Sequence, residues 1–330
     1  MSLLFKRIIW GVCCLLLSVG TSHGQEQTRI VLLLSGDSNP YQEVVAGIRS
    51  ALGKKAGDVS LETVSLQSVA ETGLAGLDEI DLLVAVGTRA TGFALAQPLD
   101  VPVFSTFVTR SSLVAAAADS RTPGVQFPEG LHSAIVLDQP ATRVVALTRL
   151  IAPQAKRLGT VVNNSATNRL EEFKAAVAQQ HLSLTSAMLL EDSNPIRDLK
   201  QVFAESDAFV VIPDVSSFNS KTAKWILFLS YRHRIPVIGY SQKYTEAGAA
   251  ISLFTEPDQV GRDTGEQILG FLKHGHAGNP QNVVRYPRYF SLAVNPTVMD
   301  SLGLEPQTIA ELKQRLLQLE SVVQREAESE

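Results

Sequence analysis

The chain has 330 residues, 45% of them apolar, enough material for about two globular cores. Its 29 basic and 33 acidic residues give a formal charge of −4, which offers no electrostatic footprint for nucleic acid. The only two cysteines, Cys13 and Cys14, lie in an apolar N-terminal run, so the rest of the chain carries no thiol nucleophile, disulfide or cysteine metal site.

Residues 1–24 read as a signal peptide. Lys6 and Arg7 form its basic region, Ile8 to Val19 its apolar core, and Ser22 and Gly24 the small residues before a cut after Gly24. The apolar run is short for a bilayer span. An uncleaved anchor is the alternative; lipid on Cys13 or Cys14 is disfavoured because Trp10-Gly11-Val12 does not resemble a lipobox. Export to a periplasm by a cleaved signal peptide is the expectation, and a chain free of cysteine suits that compartment.

From there strands and helices alternate. Arg29 to Leu34 is a buried strand ending at Ser35-Gly36-Asp37-Ser38, and Pro40-Tyr41 opens a helix with Val44, Val45, Ile48 and Leu52 inward. Strands follow at Val59–Ser65, Asp81–Val86 and Val101–Phe104, with a helix from about Ala90 to Gln97. Ala115 to Ala118 reads as a helical turn, and Thr122 to Val125 as a turn entering a strand. Asp138 reads as the N-cap of a helix that carries Pro140 in its first turn and ends near Ile151. Lys156 to Val162 begins a second series: strand, loop at Asn163-Asn164-Ser165, helix from about Arg169 to Gln180, then a strand over Leu182–Leu189.

Asp207 to Ala250 shows the unit most plainly. Ala208 to Ile212 is an apolar strand stopped by Pro213-Asp214. A helix follows with Trp225, Ile226, Phe228 and Leu229 on one stripe, and Pro236 to Ile238 is the next strand. A helix over 257–274 carries Gly261, Gly265 and Gly270. Arg285 to Val294 is extended and crosses between the two halves. Thr308 and Glu311 form a capping box, after which Ile309, Leu312, Leu316 and Leu319 make an apolar seam that docks on the protein's own surface.

This pattern predicts an α/β chain with two doubly wound parallel-sheet lobes joined by a hinge. The expected division is a signal peptide at 1–24 and an N-terminal lobe over 25–133 that takes in helix 257–274. A C-terminal lobe covers 134–256, a hinge crossing and return 275–304, and a C-terminal helix 305–330.

Catalytic signatures are missing: there is no GxSxG, HExxH or CxxC. Gly87 to Gly92 has P-loop glycine spacing but continues Phe93-Ala94 where Lys and Ser or Thr are needed. His274 and His276 alone are too few for a metal. What remains is a set of polar loops at the carboxyl ends of strands, where open α/β sheets bind ligands. The candidate ligand residues are Ser35, Asp37, Ser38, Thr88, Arg89, Ser105, Thr106 and Phe107 in the first half. In the second they are Asn163, Asn164, Asp214, Ser216, Tyr240 and Tyr244. Helix N-termini there suit an anion, hydroxyls and amides give directional bonds, and aromatics supply a flat wall. Such residues after strands also serve as caps and turn formers.

Several stretches together resemble the substrate-binding proteins of ABC transporters, the TrpX-like group with a type I periplasmic-binding fold. They are Ala134-Ile135 with Asp138-Gln139-Pro140, Leu158 to Val162 with Asn163 to Ser165, and Ala208 to Asp214. Ile235 to Gly239, Tyr244 to Ala249, Val260-Gly261-Arg262, and Asn295 with Leu302 to Leu304 complete the set. The resemblance implies two lobes closing on a small organic molecule, amino-acid-like solutes being one class, that is delivered to an ABC permease. The missing catalytic and metal motifs lead to the expectation of no enzyme activity, cofactor or metal, and a monomer is expected. A ligand-sensing module signalling to a membrane partner such as a histidine kinase is the alternative.

Overall fold

The computed structural model describes residues 27–327 apart from 54–58, 73–79, 98, 100, 120–131, 164–166, 190–193, 214–219 and 275–282. The signal-peptide expectation, the turn at Thr122 to Val125, and Asn164, Asp214 and Ser216 therefore lie outside the described residues. No described helix is long and apolar enough to cross a membrane.

The first series runs β1 (Thr28–Leu34), α1 (Asn39–Leu52), β2 (Val59–Ser65), α2 (Leu66–Thr72), β3 (Leu82–Val86) and α3 (Thr88–Leu95). It continues with β4 (Val103–Val108), α4 (Arg110–Asp119) and β5 (His132–Val136). The second runs α5 (Ala141–Ile151), β6 (Arg157–Val162), α6 (Thr167–Gln179), β7 (Ser183–Met188), α7 (Ile196–Ala204), β8 (Ala208–Val210) and α8 (Ser220–His233). After these come β9 (Val237–Gly239), α9 (Gln242–Glu246) and β10 (Ile251–Phe254). The chain ends with α10 (Pro257–His274), β11 (Val284–Arg285), β12 (Ser291–Val294), α11 (Pro296–Ser301) and α12 (Ile309–Ala327).

These strands form two six-stranded sheets, in the orders β11-β5-β4-β3-β1-β2 and β12-β10-β9-β8-β6-β7. All neighbours are parallel except β10 and β12. Uninterrupted apolar strands are what a sheet covered on both faces demands, and the packing shows it. In β1, Ile30, Leu32 and Leu34 enter one core and Val31 and Leu33 another. In and just beyond β8, Ala208, Val210 and Ile212 face one core and Phe209 and Val211 the other.

The chain passes between sheets three times. β5 pairs with β4 in the first sheet while α5 packs in a core of the second, so the first crossing lies at 137–140. A boundary at 133 thus falls inside a strand, because His132 to Val136 completes the first sheet's pairing. The second crossing is at 255–256, where α10 leaves β10 and returns to pack on α1. The third lies at 286–290, between β11 on β5 and β12 on β10.

Four local expectations are corrected. Asp138 is not an N-cap: α5 starts from Pro140, and the Asp138 carboxylate instead accepts the backbone N–H of Arg110 at 2.7 Å. The turn at 115–118 is part of a full helix, α4. On α8, Ile226 and Leu229 are buried but Phe228 is 49% exposed, since only one side of the stripe meets the sheet. In α12, Leu312 and Leu316 bury fully in the second sheet's core, while Ile309 and Leu319 stay exposed. Thr308 and Glu311 close the capping box reciprocally, at 2.9 and 3.2 Å.

Candidate ligand cleft

Both sheets present their carboxyl edges to the crossings. A cavity of about 250 Å³ lies there. The first sheet contributes Phe107 and Thr109 from the end of β4, and the first crossing contributes Leu137, Asp138 and Gln139. The second sheet supplies Val211 and Pro213 after β8, Gly239 to Ser241 after β9, and Leu253 to Thr255 after β10. Arg169 and Phe173 reach it from α6. Phe107 takes the left-handed conformation, φ 56°, and packs edge-on against Tyr41 with ring centroids 5.4 Å apart. A side chain held at positive φ is costly and is kept only where its surroundings fix it.

Polar groups line one end. Arg169, only 5% exposed, donates to Glu172 at 2.5 Å, to the Tyr286 hydroxyl at 2.6 Å and to the Gln139 carbonyl at 2.8 Å. Its Nε lies 3.8 Å from Asp138 Oδ1. Arg110, at the start of α4, reaches the same Glu172 and Tyr286 at 2.8 and 2.7 Å, and Tyr286 donates to Glu172. One cluster thus ties α4, α6, the first crossing and the third. Burial pushes the Asp138 carboxyl above the usual carboxylate range, and the nearby Arg169 guanidinium and the Arg110 N–H offset only part of that. Burial also pushes Glu172 up, but the Tyr286 hydroxyl and the two guanidiniums together hold it below its ordinary value.

Of the residues singled out from sequence, Phe107 and Tyr240 line this cavity. Others have partners elsewhere. The Ser35 hydroxyl accepts the Ala90 N–H at 2.8 Å, serving the first turn of α3. Ser105 bonds His132 at 2.9 Å, and Thr106 bonds Thr264 of α10 at 2.8 Å. Asn163 is buried at the end of β6, while Asp37, Ser38, Thr88 and Arg89 are exposed. Tyr244 is buried in the core beneath Tyr240, its ring centroid 5.4 Å away, and its hydroxyl has no hydrogen-bond partner. Sequence reasoning missed Asp138, Gln139, Arg169 and Phe173 as cavity residues. The available signal was a buried-charge pairing between a crossing and a helix start, which spacing along the chain does not reveal.

His132 carries a pH dependence of its own. It is 3% exposed, and burial lowers its imidazole from 6.5 to about 4. The unfolded chain therefore binds the proton more readily between those values, so this contribution is complete above pH 6.5 and is lost as pH falls toward 4. Urea unfolding should show a stability loss approaching roughly 3 kcal/mol across that window, and His132→Gln should remove most of the slope.

Two sheets, three crossings and a cavity at the crossings accompany a match of residues 42–311 to the family described as ABC transporter substrate binding protein. The chain belongs to that family. Among solved structures, the ligand-free, open form of a substrate-binding protein with adhesive properties from Clostridium difficile aligns with a TM-score of 0.64. The identity is 18%, over 85% of this chain and 96% of that one. A conserved domain protein from Vibrio cholerae aligns at 0.57 and 18%, over 88% and 98%. The ABC domain in complex with L-Trp from Streptococcus pneumonia aligns at 0.56 and 18%, over 86% and 98%. At these identities the structures establish the fold, a type I periplasmic-binding fold. Comparison with curated proteins finds no match.

Proposed function

We propose that the protein is an exported, non-enzymatic solute-binding protein that captures a small organic molecule between its lobes and delivers it to an ABC permease. The observation that carries this reading is the cavity of about 250 Å³ at the carboxyl ends of β8, β9 and β10, walled on the first-sheet side by Phe107 and Thr109. Strand-end cavities at sheet crossings are where α/β folds take ligands. The family supplies the transport context. Three short crossings act as the hinge, and the ligand shifts an open–closed equilibrium by binding both lobes at once. Phe107 and Tyr240 are the proposed contacts already at the cavity. The L-Trp of the pneumococcal structure makes amino-acid-like solutes one class to screen.

Thermal melting against a library of amino acids, sugars, short peptides and aromatic metabolites tests this. A ligand at about 100 times its dissociation constant stabilises by roughly 2.7 kcal/mol, a shift of several degrees. Absence of any stabilising compound across the library would sink the capture reading, and chemical turnover of a hit would overturn its non-enzymatic part.

A further inference from the structure

Helix α8 has two unlike faces. Thr222, Ile226, Leu229 and Ser230 turn inward and are at most 3% exposed. The opposite stripe carries Lys221, Lys224, Trp225, Phe228, Tyr231 and Arg232, spaced i, i+3, i+4, i+7, i+10 and i+11 on one side of the helix. Every residue of that stripe is basic or aromatic. The helix holds no acidic residue, although the whole chain carries a formal charge of −4. Phe228 is 49% exposed and Tyr231 82%. Trp225 is half-buried and meets Phe228 edge-on, ring centroids 5.8 Å apart, so the two rings make one apolar ridge. Lys224 and Arg232 are exposed and form no ion pair among the described residues. Beside Tyr231 runs a groove of about 620 Å³ between Leu227 of α8 and Val298 and Leu302 at α11. The charged residues lining it are Arg232 and Arg234, both cationic.

We propose that this face of α8 docks on an anionic phospholipid surface. The stripe runs along the helix for about 16 Å, so its side chains can meet a plane together, as the apolar and basic side chains of an interfacial helix do. Its composition is that of a membrane interface. Tyrosine and tryptophan have an apolar body and a polar tip, which places them at the level of the headgroups. Lysine and arginine lay their stems along apolar surface and reach phosphate with their charged ends. The charge is complementary: exposed cations with no carboxylate on the helix to neutralise them attract an anionic leaflet. Arg232 and Arg234 on one groove give a headgroup phosphate two guanidiniums, the side chain best matched to its oxygens. Leaving Phe228 and Tyr231 in water keeps apolar area unburied, and docking recovers that area. None of the six stripe residues lines the cavity at the crossings, so docking and solute capture use different side chains.

Vesicle sedimentation of the purified protein tests the proposal. The protein should pellet with phosphatidylcholine vesicles containing roughly one-third phosphatidylglycerol at low ionic strength, and stay in solution with phosphatidylcholine alone. Raising the salt toward about 1 M should release it, since screening then acts within about 3 Å. Replacing Lys224 and Arg232 together by glutamate should weaken binding about 25-fold or more, at about fivefold per lost cation. Tyr231→Ser should weaken it about tenfold. These side chains are exposed, so each variant should melt like wild type. Trp225 supplies a second readout. The other tryptophan is Trp10, so in a Trp10→Phe background the emission belongs to Trp225 and should shift to shorter wavelength on anionic vesicles. Equal pelleting with neutral and anionic vesicles, or none with either, would overturn the proposal. So would binding that survives the double charge reversal, which would place the contact on another part of the chain. An unchanged Trp225 emission would overturn it too. Binding of soluble polyglutamate without vesicle binding would replace the lipid surface by an acidic peptide.

Discussion

Gly261→Ala is expected to destabilise the protein by about 3 kcal/mol, lowering the melting temperature by roughly 6–12 °C. A Cβ at this position would lie 2.1 Å from the Val44 carbonyl oxygen. The obstacle is backbone, so no rotamer change relieves it, and α10 must lift away from α1. The contact is reciprocal: a Cβ on Gly47 would lie 2.3 Å from the Asp258 carbonyl oxygen. Glycine on each helix lets the two backbones approach more closely than side chains permit, and close-packed interiors tolerate little displacement. Differential scanning calorimetry of Gly261→Ala, Gly47→Ala and the pair should show less than additive losses, because the first separation makes room for the second methyl. Gly270→Ala on the same helix is the control. Nothing lies within 4 Å of its added Cβ, so relief of glycine's entropy cost should stabilise by about 0.5–1 kcal/mol. A neutral Gly261→Ala would mean that the two helices do not meet this closely.

The consequence reaches the cleft. α10 begins right after the second crossing and is fixed to its neighbours by Thr264 on Thr106 and by Asp263 on Arg288. Lifting α10 would displace the second crossing, from which it starts.

The two parallel sheets were legible, though not their strand order, because apolar strands buried on both faces announce themselves. Arg29 to Leu34 and Ala208 to Ile212 each split their side chains between two cores, as a continuous apolar run requires. Shorter or less regular pieces were not legible. Ile251 to Phe254 is four residues long and pairs with a distant antiparallel strand, a partner that no local pattern names. α7 has Leu199, Val202 and Phe203 inward on a single helical face, but Pro195 just before it reads first as a break. Of the candidate ligand residues, two line the cavity, for the same reason. Phe107 and Tyr240 follow strands and so stood out by position. Arg169 looked like an ordinary helix-start residue, and its role depends on Tyr286, Gln139 and Asp138, which come together only when the first and third crossings converge on α6. Hydroxyls such as Ser35 and Thr106 follow strands equally well and serve the scaffold instead. Position along the chain identifies the edge of a sheet. It does not say which side chains there are already satisfied.

Arg169→Met should cost about 3–5 kcal/mol at neutral pH, the range for removing one partner of a buried ionic cluster. Methionine fills much of the volume and keeps contact with Phe173, over which the guanidinium now sits at 5.3 Å. What it cannot do is bond Tyr286, Glu172 and the Gln139 carbonyl, or face Asp138. Asp138 stays 1% exposed and loses its nearest counter-charge, so its proton affinity in the folded state rises further. The sign of the pH effect follows. A carboxyl whose folded pKa lies above its unfolded value binds more protons when folded, so its penalty shrinks as pH falls. The gap between wild type and Arg169→Met in urea unfolding should therefore narrow from pH 7 to pH 5. Adding Asp138→Asn should recover part of the loss at pH 7, because it removes the stranded charge while its amide oxygen can still accept the Arg110 N–H. If the gap is the same at both pH values and the second substitution recovers nothing, Arg169 acts on stability through Glu172, Tyr286 and the Gln139 carbonyl. Asp138 would then contribute to the cleft by position and not by charge.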